Sequence, residues 1–326
     1  MKQEILNEAP EVLKKFLGYL QTVKGKSPKT VEEYYIDLRT FFRYLKVHFG
    51  KVPKDAVFEE IAIDDVNIDM LKQVGLTDVF EYMNYLASVR GNHEAARARK
   101  VSSLRHFFKY LVNKTCELES NNIEELETPK LAKRLPKFLT LEQSKKLLET
   151  VNVRGAKSKE RDYCILTLFL NCGLRLSELA GININDFRED GTLRVIGKGN
   201  KERIVYLNAA CKSAVDNYRK VRPNDELKDR KAFFISRQHN RISVKTVQAL
   251  VKKYLALSGL GGMGYSTHKL RHTAATLMYQ HGGVDIRILK DILGHENLGT
   301  TEIYTHISNS QVKNAIDANP LAEVSV

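Results

Sequence analysis

Apolar residues recur at helical spacing along most of this chain, and this pattern restricts its fold more than any other feature. The pattern predicts helices over residues 12–20, 34–45, 79–86, 95–114, 161–171, 211–221, 244–257, 268–281 and 284–293. Residues 192–207 differ, because two short apolar strands flank the turn Gly197-Lys198-Gly199-Asn200, which indicates a β-hairpin. We therefore predict a mainly α protein with a small β-sheet, formed by a hairpin in the second half of the chain.

Local signals place several helix starts and one domain boundary. Ser27 followed by Pro28 predicts a capped helix start, and Thr140 with Gln143 forms a capping-box pattern. A chain of 326 residues is long enough for about two domains. Between them we place a linker at residues 119–136, where acidic residues are followed by prolines and basic residues. This predicts domains at 1–118 and 137–308, and a C-terminal tail at 309–326.

The charge balance favours a polyanionic partner. Lys and Arg number 52 against 39 Asp and Glu, a formal net charge of +13. Residues 1–120 hold 19 basic and 17 acidic residues, so residues 121–326 hold 33 and 22. We expect nucleic acid as the partner, with most phosphate contacts in the second half.

Other compositional features argue against a membrane protein, a secreted protein and a disulfide framework. The longest apolar stretches are far shorter than the roughly 20 residues that span a bilayer. The first residues lack the apolar core of a signal peptide, so a cytoplasmic location is expected. Four cysteines occur without CxxC spacing, which gives no sign of a disulfide set or a cysteine zinc site: Cys116, Cys164, Cys172 and Cys211.

The segment His268-Lys269-Leu270-Arg271-His272 is the first candidate for chemistry. His268 and Arg271 are three residues apart, so they share one helical face, and Ser266 or Thr267 can cap that helix near its positive end. Taken in isolation, the segment is better explained as an ordinary basic surface helix. Zinc is disfavoured because no Glu lies between the two histidines, as the helical zinc-protease motif requires.

Two further candidates lie upstream. Arg175 and Glu178 share a helical face after a glycine break, so Glu178 can orient a guanidinium that remains open to phosphate. A surface ion pair of little energetic value is the alternative. Lys198 lies between two glycines at the hairpin tip, where it is either a solvated turn residue or a cation that reaches a ligand.

The last cluster contains His295 and Tyr304. A tyrosine hydroxyl has an unperturbed pKa of about 10, so it needs a base and a cationic setting before it can act as a nucleophile. A lone tyrosine near the end of a helical domain is usually a packing residue. The combination with the preceding motifs changes that interpretation.

The ordered series of motifs resembles the catalytic signature of the tyrosine recombinases, or phage-integrase-type recombinases, and is most similar to their Xer-type members. The matching positions are Arg175, Lys198, His268, Arg271, His295 and Tyr304. The resemblance covers about residues 138–308. It implies a two-domain clamp around duplex DNA, with a helical core-binding, SAM-like domain at 1–118 and the catalytic domain at 137–308.

The match implies that Tyr304 attacks a scissile phosphate, forms a 3′-phosphotyrosine and releases a 5′-hydroxyl. Arg175 and Arg271 would hold the non-bridging oxygens and stabilise the charge of the pentacoordinate transition state. Glu178 would support Arg175 in this arrangement.

The remaining roles are proton transfer and hydrogen bonding. Lys198 would protonate the leaving 5′-oxygen, His268 would be the general acid or base for the tyrosine hydroxyl, and His295 would donate to phosphate. We expect no metal and no cofactor, because Arg, Lys and His supply the charge that Mg²⁺ supplies in hydrolytic nucleases.

The resemblance also implies partners. The substrate would be double-stranded DNA carrying a short, dif-like core recombination site, and the active assembly a synaptic tetramer. Residues 309–326 resemble the family segment that docks in trans on a neighbouring protomer, and a helix packed in cis is the alternative. A DNA translocase and a second recombinase are further candidate partners, and the expected location is the nucleoid.

The favoured function is a Xer-like site-specific recombinase that cleaves and rejoins DNA to resolve chromosome or plasmid dimers. Alternatives are the integrase or transposase of a mobile element, a type IB topoisomerase-like activity, and an inactive DNA-binding accessory factor. In the first domain the candidate DNA contacts are basic or polar residues at two helix starts, which alternatively form a solvated face. They are Lys26, Lys29, Thr30, Arg97, Arg99 and Lys100.

Overall fold

The computed structural model describes residues 3–53, 55–128, 137–152, 158–197 and 201–294. The chain divides into two compact units, residues 1–133 and 134–326. Lys198, His295, Tyr304 and the tail 309–326 lie outside the described residues. The mainly α fold with a small antiparallel sheet is confirmed.

The first unit is helical in its described part. Its helices are α1 (Gln3–Glu8), α2 (Glu11–Thr22), α3 (Pro28–His48), α4 (Ile68–Lys72), α5 (Leu76–Ser88) and α6 (Glu94–Asn113). Helix α3 begins as predicted, because the Ser27 side chain accepts a bond from the Thr30 N–H at 3.2 Å. The apolar faces of these helices form one core rich in aromatic rings, including Phe16, Phe41 and Phe107.

The segment that the sequence predicts as the start of the linker packs on the first unit. Ile123 and Leu126 are buried in the core of that unit, and Leu118 lies with them. The Asn122 side chain donates to the Val74 carbonyl at 3.3 Å. Residues 119–128 therefore extend the first unit, since apolar side chains spaced among the acidic residues turn inwards.

The second unit surrounds a separate core. Its described helices are α7 (Leu141–Asn152), α8 (Lys159–Cys172), α9 (Leu176–Gly181), α10 (Ala209–Val221), α11 (Val244–Leu257), α12 (Thr267–Gly282) and α13 (Ile286–Leu293). The capping box before α7 is present: the Thr140 N–H donates to Gln143 at 3.0 Å, and the Gln143 N–H donates to Thr140 at 3.1 Å. Within the described residues, no helix has the length and apolar character needed to cross a bilayer.

The sheet of the second unit is the predicted hairpin. Strand β1 (Thr192–Ile196) pairs antiparallel with β2 (Glu202–Tyr206), with Thr192 opposite Tyr206 and Ile196 opposite Glu202. Leu193, Val195 and Val205 are buried, so one face of the hairpin packs on the core.

A glycine turn joins α8 to α9 and positions the candidate site. Gly173 ends α8 with φ +58°, a conformation that favours glycine. A Cβ at Gly173 would lie 2.8 Å from Leu293 Cδ2, so the turn packs tightly against the end of α13. The start of α9 is thereby held beside the last turn of α13.

Candidate active site

Arg175 and Glu178 form the ion pair that their spacing predicts. Arg175 occupies the N-cap position of α9, and its backbone N–H donates to Glu178 Oε2 at 2.7 Å. Its Nη1 donates to Glu178 Oε1 at 2.8 Å. The Glu178 side chain is fully buried, whereas the Arg175 side chain is 32% exposed. Glu178 thus anchors a guanidinium that still reaches the surface.

Arg271 approaches the same carboxylate from α12. It is buried, and its Nη1 lies 4.0 Å from Glu178 Oε2. Nη1 donates to the Gly173 carbonyl and Nη2 to the Leu293 carbonyl, both at 2.6 Å. The structure therefore brings two of the predicted catalytic arginines to one carboxylate.

Arg203 of β2 is a third arginine at this carboxylate, and the sequence analysis missed it. Its Nη1 donates to Glu178 Oε1 at 2.6 Å, and its Nε donates to the Ile292 carbonyl at 3.2 Å. Arg203 lies opposite Val195, on the buried face of the hairpin. An arginine at an inward position of an alternating strand was the available signal.

We call Arg175, Glu178, Arg203 and Arg271 the Glu178 cluster. Burial alone would raise the pKa of Glu178, but hydrogen bonds and charge from Arg203, and hydrogen bonds from Arg175, lower it below its usual 4.5. The carboxylate is therefore ionised at neutral pH. Three guanidinium groups against one carboxylate leave an excess of two positive charges, which favours an anionic ligand.

The arginines of the cluster also bond to the C-terminal end of α13. Successive carbonyls each accept one guanidinium bond: Ile292 from Arg203, Leu293 from Arg271 and Gly294 from Arg175. Gly294 has φ +63°, and a Cβ there would lie 3.1 Å from Arg203 Cδ. The sequence position directly before His295 is thus fixed beside the cluster.

The hairpin turn starts at the same place. The Gly197 N–H donates to the Lys201 carbonyl at 2.7 Å, at the base of the hairpin turn. A Cβ at Gly197 would lie 3.3 Å from Glu178 Oε1. Gly197, the residue directly before Lys198 in the sequence, therefore lies against the cluster.

His268 lies one helical turn before Arg271 on α12. Its Nε2 is 3.1 Å from Nε2 of His272. Although part of the residue reaches solvent, desolvation and then the charges of Arg271, Lys269 and Arg175 lower the pKa of His268 below its usual 6.5. The imidazole is therefore mainly neutral at pH 7 and can accept a proton.

The helix start before His268 differs from the predicted cap. Ser266 occupies the N-cap position of α12, but its side chain makes no capping bond. Among the described residues, no group of three or more His, Cys, Asp or Glu side chains is placed to hold a metal ion. Cys164, Cys172 and Cys211 are buried free thiols, and Cys116 is exposed.

The first group of predicted DNA contacts lies at the start of α3. Lys26 and Lys29 are exposed. The Thr30 hydroxyl lies 2.9 Å from the Ser27 hydroxyl, within the helix cap. The two lysines thus remain available to a ligand, whereas Thr30 also has a local structural role.

The second predicted group lies on α6 and requires a correction. Lys100 is buried and its ammonium donates to Asp37 at 3.0 Å, so it does not reach the surface. Arg99, which is nearly half exposed, bonds to the same carboxylate, and Arg97 donates to the Asn92 carbonyl at 2.8 Å. Local spacing could not predict this partner, because Asp37 lies on α3, 63 positions before Lys100.

Comparison with known proteins identifies related sequences. Residues 137–311 match the Phage integrase family. Tyrosine recombinase XerC of Caldanaerobacter subterraneus subsp. tengcongensis is 54% identical over 314 residues, which cover 96% of this chain and 88% of that protein. Tyrosine recombinase XerC of Thermodesulfovibrio yellowstonii is 33% identical over 316 residues, which cover 94% of this chain and 96% of the relative.

Solved structures share the fold. The XerH site-specific recombinase bound to palindromic difH substrate matches with a TM-score of 0.68 and 22% identity, over 97% of this chain and 87% of that one. A lambda integrase (75-356) dimer bound to a COC′ core site matches with a TM-score of 0.64 and 17% identity, over 89% and 95% of the two chains. The family predicted from the motifs is confirmed: the chain belongs to the phage integrase family and is a Xer-like tyrosine recombinase, an enzyme that cleaves and rejoins DNA.

Proposed function

We propose that this recombinase cleaves DNA by attack of the Tyr304 hydroxyl on a scissile phosphate. The attack forms a 3′-phosphotyrosine and releases a 5′-hydroxyl, and reversal of the step on a new 5′-hydroxyl rejoins the strands. The observation that carries the proposal is the Glu178 cluster, in which Arg175 and Arg271 meet beside His268 with an excess of positive charge.

The two arginines would stabilise the negative charge that develops on the phosphate. A guanidinium carries five N–H donors, and Arg175 places bonds on Glu178 and on the Gly294 carbonyl. Because these bonds fix its orientation while a third of its side chain stays exposed, Arg175 can donate to a non-bridging oxygen without reorganising. Arg271 is held in the same way by the carbonyls of Gly173 and Leu293.

Proton transfer would be divided between two residues. His268, whose pKa is lowered by desolvation and by neighbouring cations, would accept the proton of the Tyr304 hydroxyl. Lys198, next to Gly197 in the sequence, would protonate the leaving 5′-oxygen, and His295 would donate to the phosphate. The covalent intermediate retains the bond energy for rejoining, so the proposal needs no metal ion and no nucleotide cofactor.

As the biological role we propose resolution of chromosome or plasmid dimers. The 54% identical relative is a XerC recombinase, and a XerH structure contains a difH site. We propose a short dif-like core site on chromosomal DNA as the substrate, which would place the protein at the nucleoid. Four protomers would form the synaptic complex, with the 309–326 tail docked on a neighbour and with a second recombinase or a translocase as further partners.

A suicide-substrate assay tests the chemistry. Duplexes that the full chain binds are selected from a random library, alongside a dif-like site, and a nick is placed so that the cleaved fragment diffuses away. Incubation in EDTA should yield a denaturation-resistant protein–DNA complex for wild-type protein and none for Tyr304→Phe. Peptide mapping of the complex should locate the DNA on Tyr304.

Four other outcomes would contradict parts of the proposal. A covalent complex with Tyr304→Phe would remove Tyr304 as the nucleophile, and dependence on Mg²⁺ would remove the metal-free mechanism. Tight binding to a selected site without cleavage by either protein would favour a DNA-binding accessory factor. Relaxation of supercoiled DNA without pairwise exchange would favour the topoisomerase-like alternative.

A further inference from the structure

We propose that Arg203 is a positioning residue that holds the hairpin turn bearing Lys198 against Glu178 and so sets the reach of the leaving-group acid. This inference rests on the proposed role of Lys198. It assigns to Arg203 a function separate from those of Arg175 and Arg271.

The position of Arg203 in the sheet is unusual for an arginine. It faces the same side of the hairpin as Val195, its partner in the register, and as Val205, two residues along β2. Both valines are buried. A charged side chain at such a position has a large desolvation penalty, which an apolar residue would avoid. Its Nη2 is buried and lacks a hydrogen-bond partner among the described residues, which adds to this cost. Filling space in the core therefore does not explain why an arginine stands here.

Arg203 ties the hairpin to Glu178 at the base of the turn. Its Nη1 donates to Glu178 Oε1 at 2.6 Å. A Cβ on Gly197 would lie 3.3 Å from that same oxygen. Arg203 therefore binds this oxygen from β2, and Gly197, whose N–H donates to the Lys201 carbonyl at 2.7 Å across the base of the turn, lies beside the same oxygen.

A second bond fixes Arg203 to α13. Its Nε donates to the Ile292 carbonyl at 3.2 Å, and its Cδ lies so close to Gly294 that a Cβ there would be 3.1 Å away. The same guanidinium thus joins the hairpin, the start of α9 through Glu178, and the end of α13. These bonds hold the base of the hairpin turn in place, and Lys198 follows that base directly in the sequence.

Loss of these bonds should affect leaving-group protonation more than DNA binding. A general acid acts within about 2.6–3.2 Å of its target, so a small displacement of the turn removes much of its effect. The residues proposed to hold the phosphate remain bonded to the carbonyls of Leu293 and Gly294. Arg203 therefore acts through Lys198 in this scheme.

The test compares two leaving groups. The suicide duplex is made with either the normal 5′-oxygen or a 5′-bridging sulfur at the scissile phosphate. A thiolate leaves without protonation because thiols are far more acidic than alcohols. The rate of covalent-complex formation is measured at saturating DNA, together with the Kd for DNA, for full-length wild-type protein and for Arg203→Met.

Arg194→Met is the matched control. Arg194 lies on β1 of the same hairpin and bonds to Asp186 at 2.8 Å and Glu202 at 3.2 Å, with no bond to Glu178. Its substitution removes the same charge from the same hairpin. We expect its cleavage rates to stay within about threefold of wild type on both substrates, because its two partners lie outside the Glu178 cluster.

For Arg203→Met we expect cleavage of the oxygen substrate to slow by about 10- to 100-fold, part of the 10²–10⁴-fold that a general acid contributes. On the sulfur substrate the rate should be within about threefold of the wild-type rate, because phosphate stabilisation is retained. The Kd for DNA should change by about threefold at most, because binding is retained. Arg203→Lys, which keeps the charge and one donor, should recover part of the rate on oxygen. If Arg203→Met does not fold, the same comparison is made with Arg203→Lys. We then expect a smaller decrease in the cleavage rate on the oxygen substrate, and no decrease on the sulfur substrate.

Lys198→Ala separates failure of this inference from failure of the proposed function. If the sulfur substrate does not restore cleavage by Lys198→Ala, Lys198 is not the general acid. The proposed role of Lys198 and the positioning role of Arg203 are then both contradicted. If sulfur rescues Lys198→Ala but leaves Arg203→Met slow, the chemistry stands and the positioning role of Arg203 is overturned. Wild-type rates for Arg203→Met on both substrates would overturn it as well.

Discussion

The two units of this protein each contain a buried carboxylate surrounded by cations, and the two clusters serve different ends. In the first unit Asp37 of α3 binds Arg99, Lys100 and Ser103; we call these four residues the Asp37 cluster. All three partners lie on one helix, α6. The bonds therefore join two helices, and the unit gains a fixed helix pair.

The Glu178 cluster draws its arginines from α9, β2 and α12, three separate elements. Each of the three arginines also donates to one carbonyl at the end of α13, and Arg175 stays 32% exposed. A buried carboxylate surrounded by cations is therefore not sufficient evidence for a functional site. What distinguishes the second cluster is the number of elements it joins and the excess of two positive charges beside an accessible guanidinium.

The largest effect on stability should follow from opening the Asp37 cluster. Asp37→Asn leaves the Lys100 ammonium, which is only 7% exposed, without a counter-ion, so the free energy of unfolding should fall by about 3–5 kcal/mol. Hydrogen exchange in α3 and α6 would measure the loss. Asp69→Asn is the matched control, because Asp69 and its partner Lys72 are both more than half exposed, and it should cost about 1 kcal/mol or less. Equal losses in the two variants would contradict the assigned role of Asp37.

The largest effect on activity should come from the Glu178 cluster. Arg175→Lys removes the forked donor and should slow cleavage about 10²- to 10³-fold, the usual result of losing one transition-state hydrogen-bond donor. The control is Arg241→Lys: Arg241 has similar exposure, pairs with Asp229 and donates to the Gly181 carbonyl at 2.8 Å, yet lies outside the cluster. If both variants lost cleavage to a similar extent at saturating DNA, the effect of Arg175 would be explained by its contribution to the fold, and its proposed role in transition-state stabilisation would be contradicted.

A smaller effect concerns pH and stability. The pKa of Glu178 in the folded chain is lowered, mainly by hydrogen bonds from Arg203 and Arg175 that outweigh burial, whereas the unfolded chain has the usual value of 4.5. The ionised carboxylate therefore stabilises the fold fully above pH 4.5, and this contribution is lost as the pH falls through the folded pKa. In urea unfolding, the difference in free energy of unfolding between wild type and Glu178→Gln should be constant near neutral pH and should decrease below pH 4.5. A difference that increases in acid would mean that the pKa of Glu178 is raised by folding, not lowered.

The smallest effect concerns His268. Its pKa is lowered by desolvation, then by Arg271, Lys269 and Arg175. Lys269→Gln removes one positive charge and should raise the pKa of His268, as measured by NMR titration of the imidazole. Lys252→Gln, which removes a charge from α11, should leave it unchanged. An unchanged titration in Lys269→Gln would show that the charge of Lys269 does not contribute to the lowered pKa.

Local patterns were sufficient to predict much of the fold and part of the candidate site. The Ser27 cap, the Thr140 and Gln143 capping box and the 192–206 hairpin depend on residues within a few positions of each other, so their sequence signals are self-contained. Arg175 with Glu178 was predictable for the same reason, since a helix places residues three apart on one face.

Partners distant in the sequence were not predictable in this way. Lys100 was expected at a surface and Arg203 was overlooked, because Asp37 and Glu178, which explain their positions, lie 63 and 25 residues away. The same holds for the carbonyl of Gly294, which is 119 residues from Arg175.

The sequence by itself determined the family, the order of the candidate catalytic residues and the mainly α composition, since each depends on residue type and local spacing. Only the tertiary structure decided which cations surround Glu178 and which are used to join helices. The physical reason is that burying a charge is favourable only beside a specific counter-charge, and it is the packing of distant elements that supplies that partner.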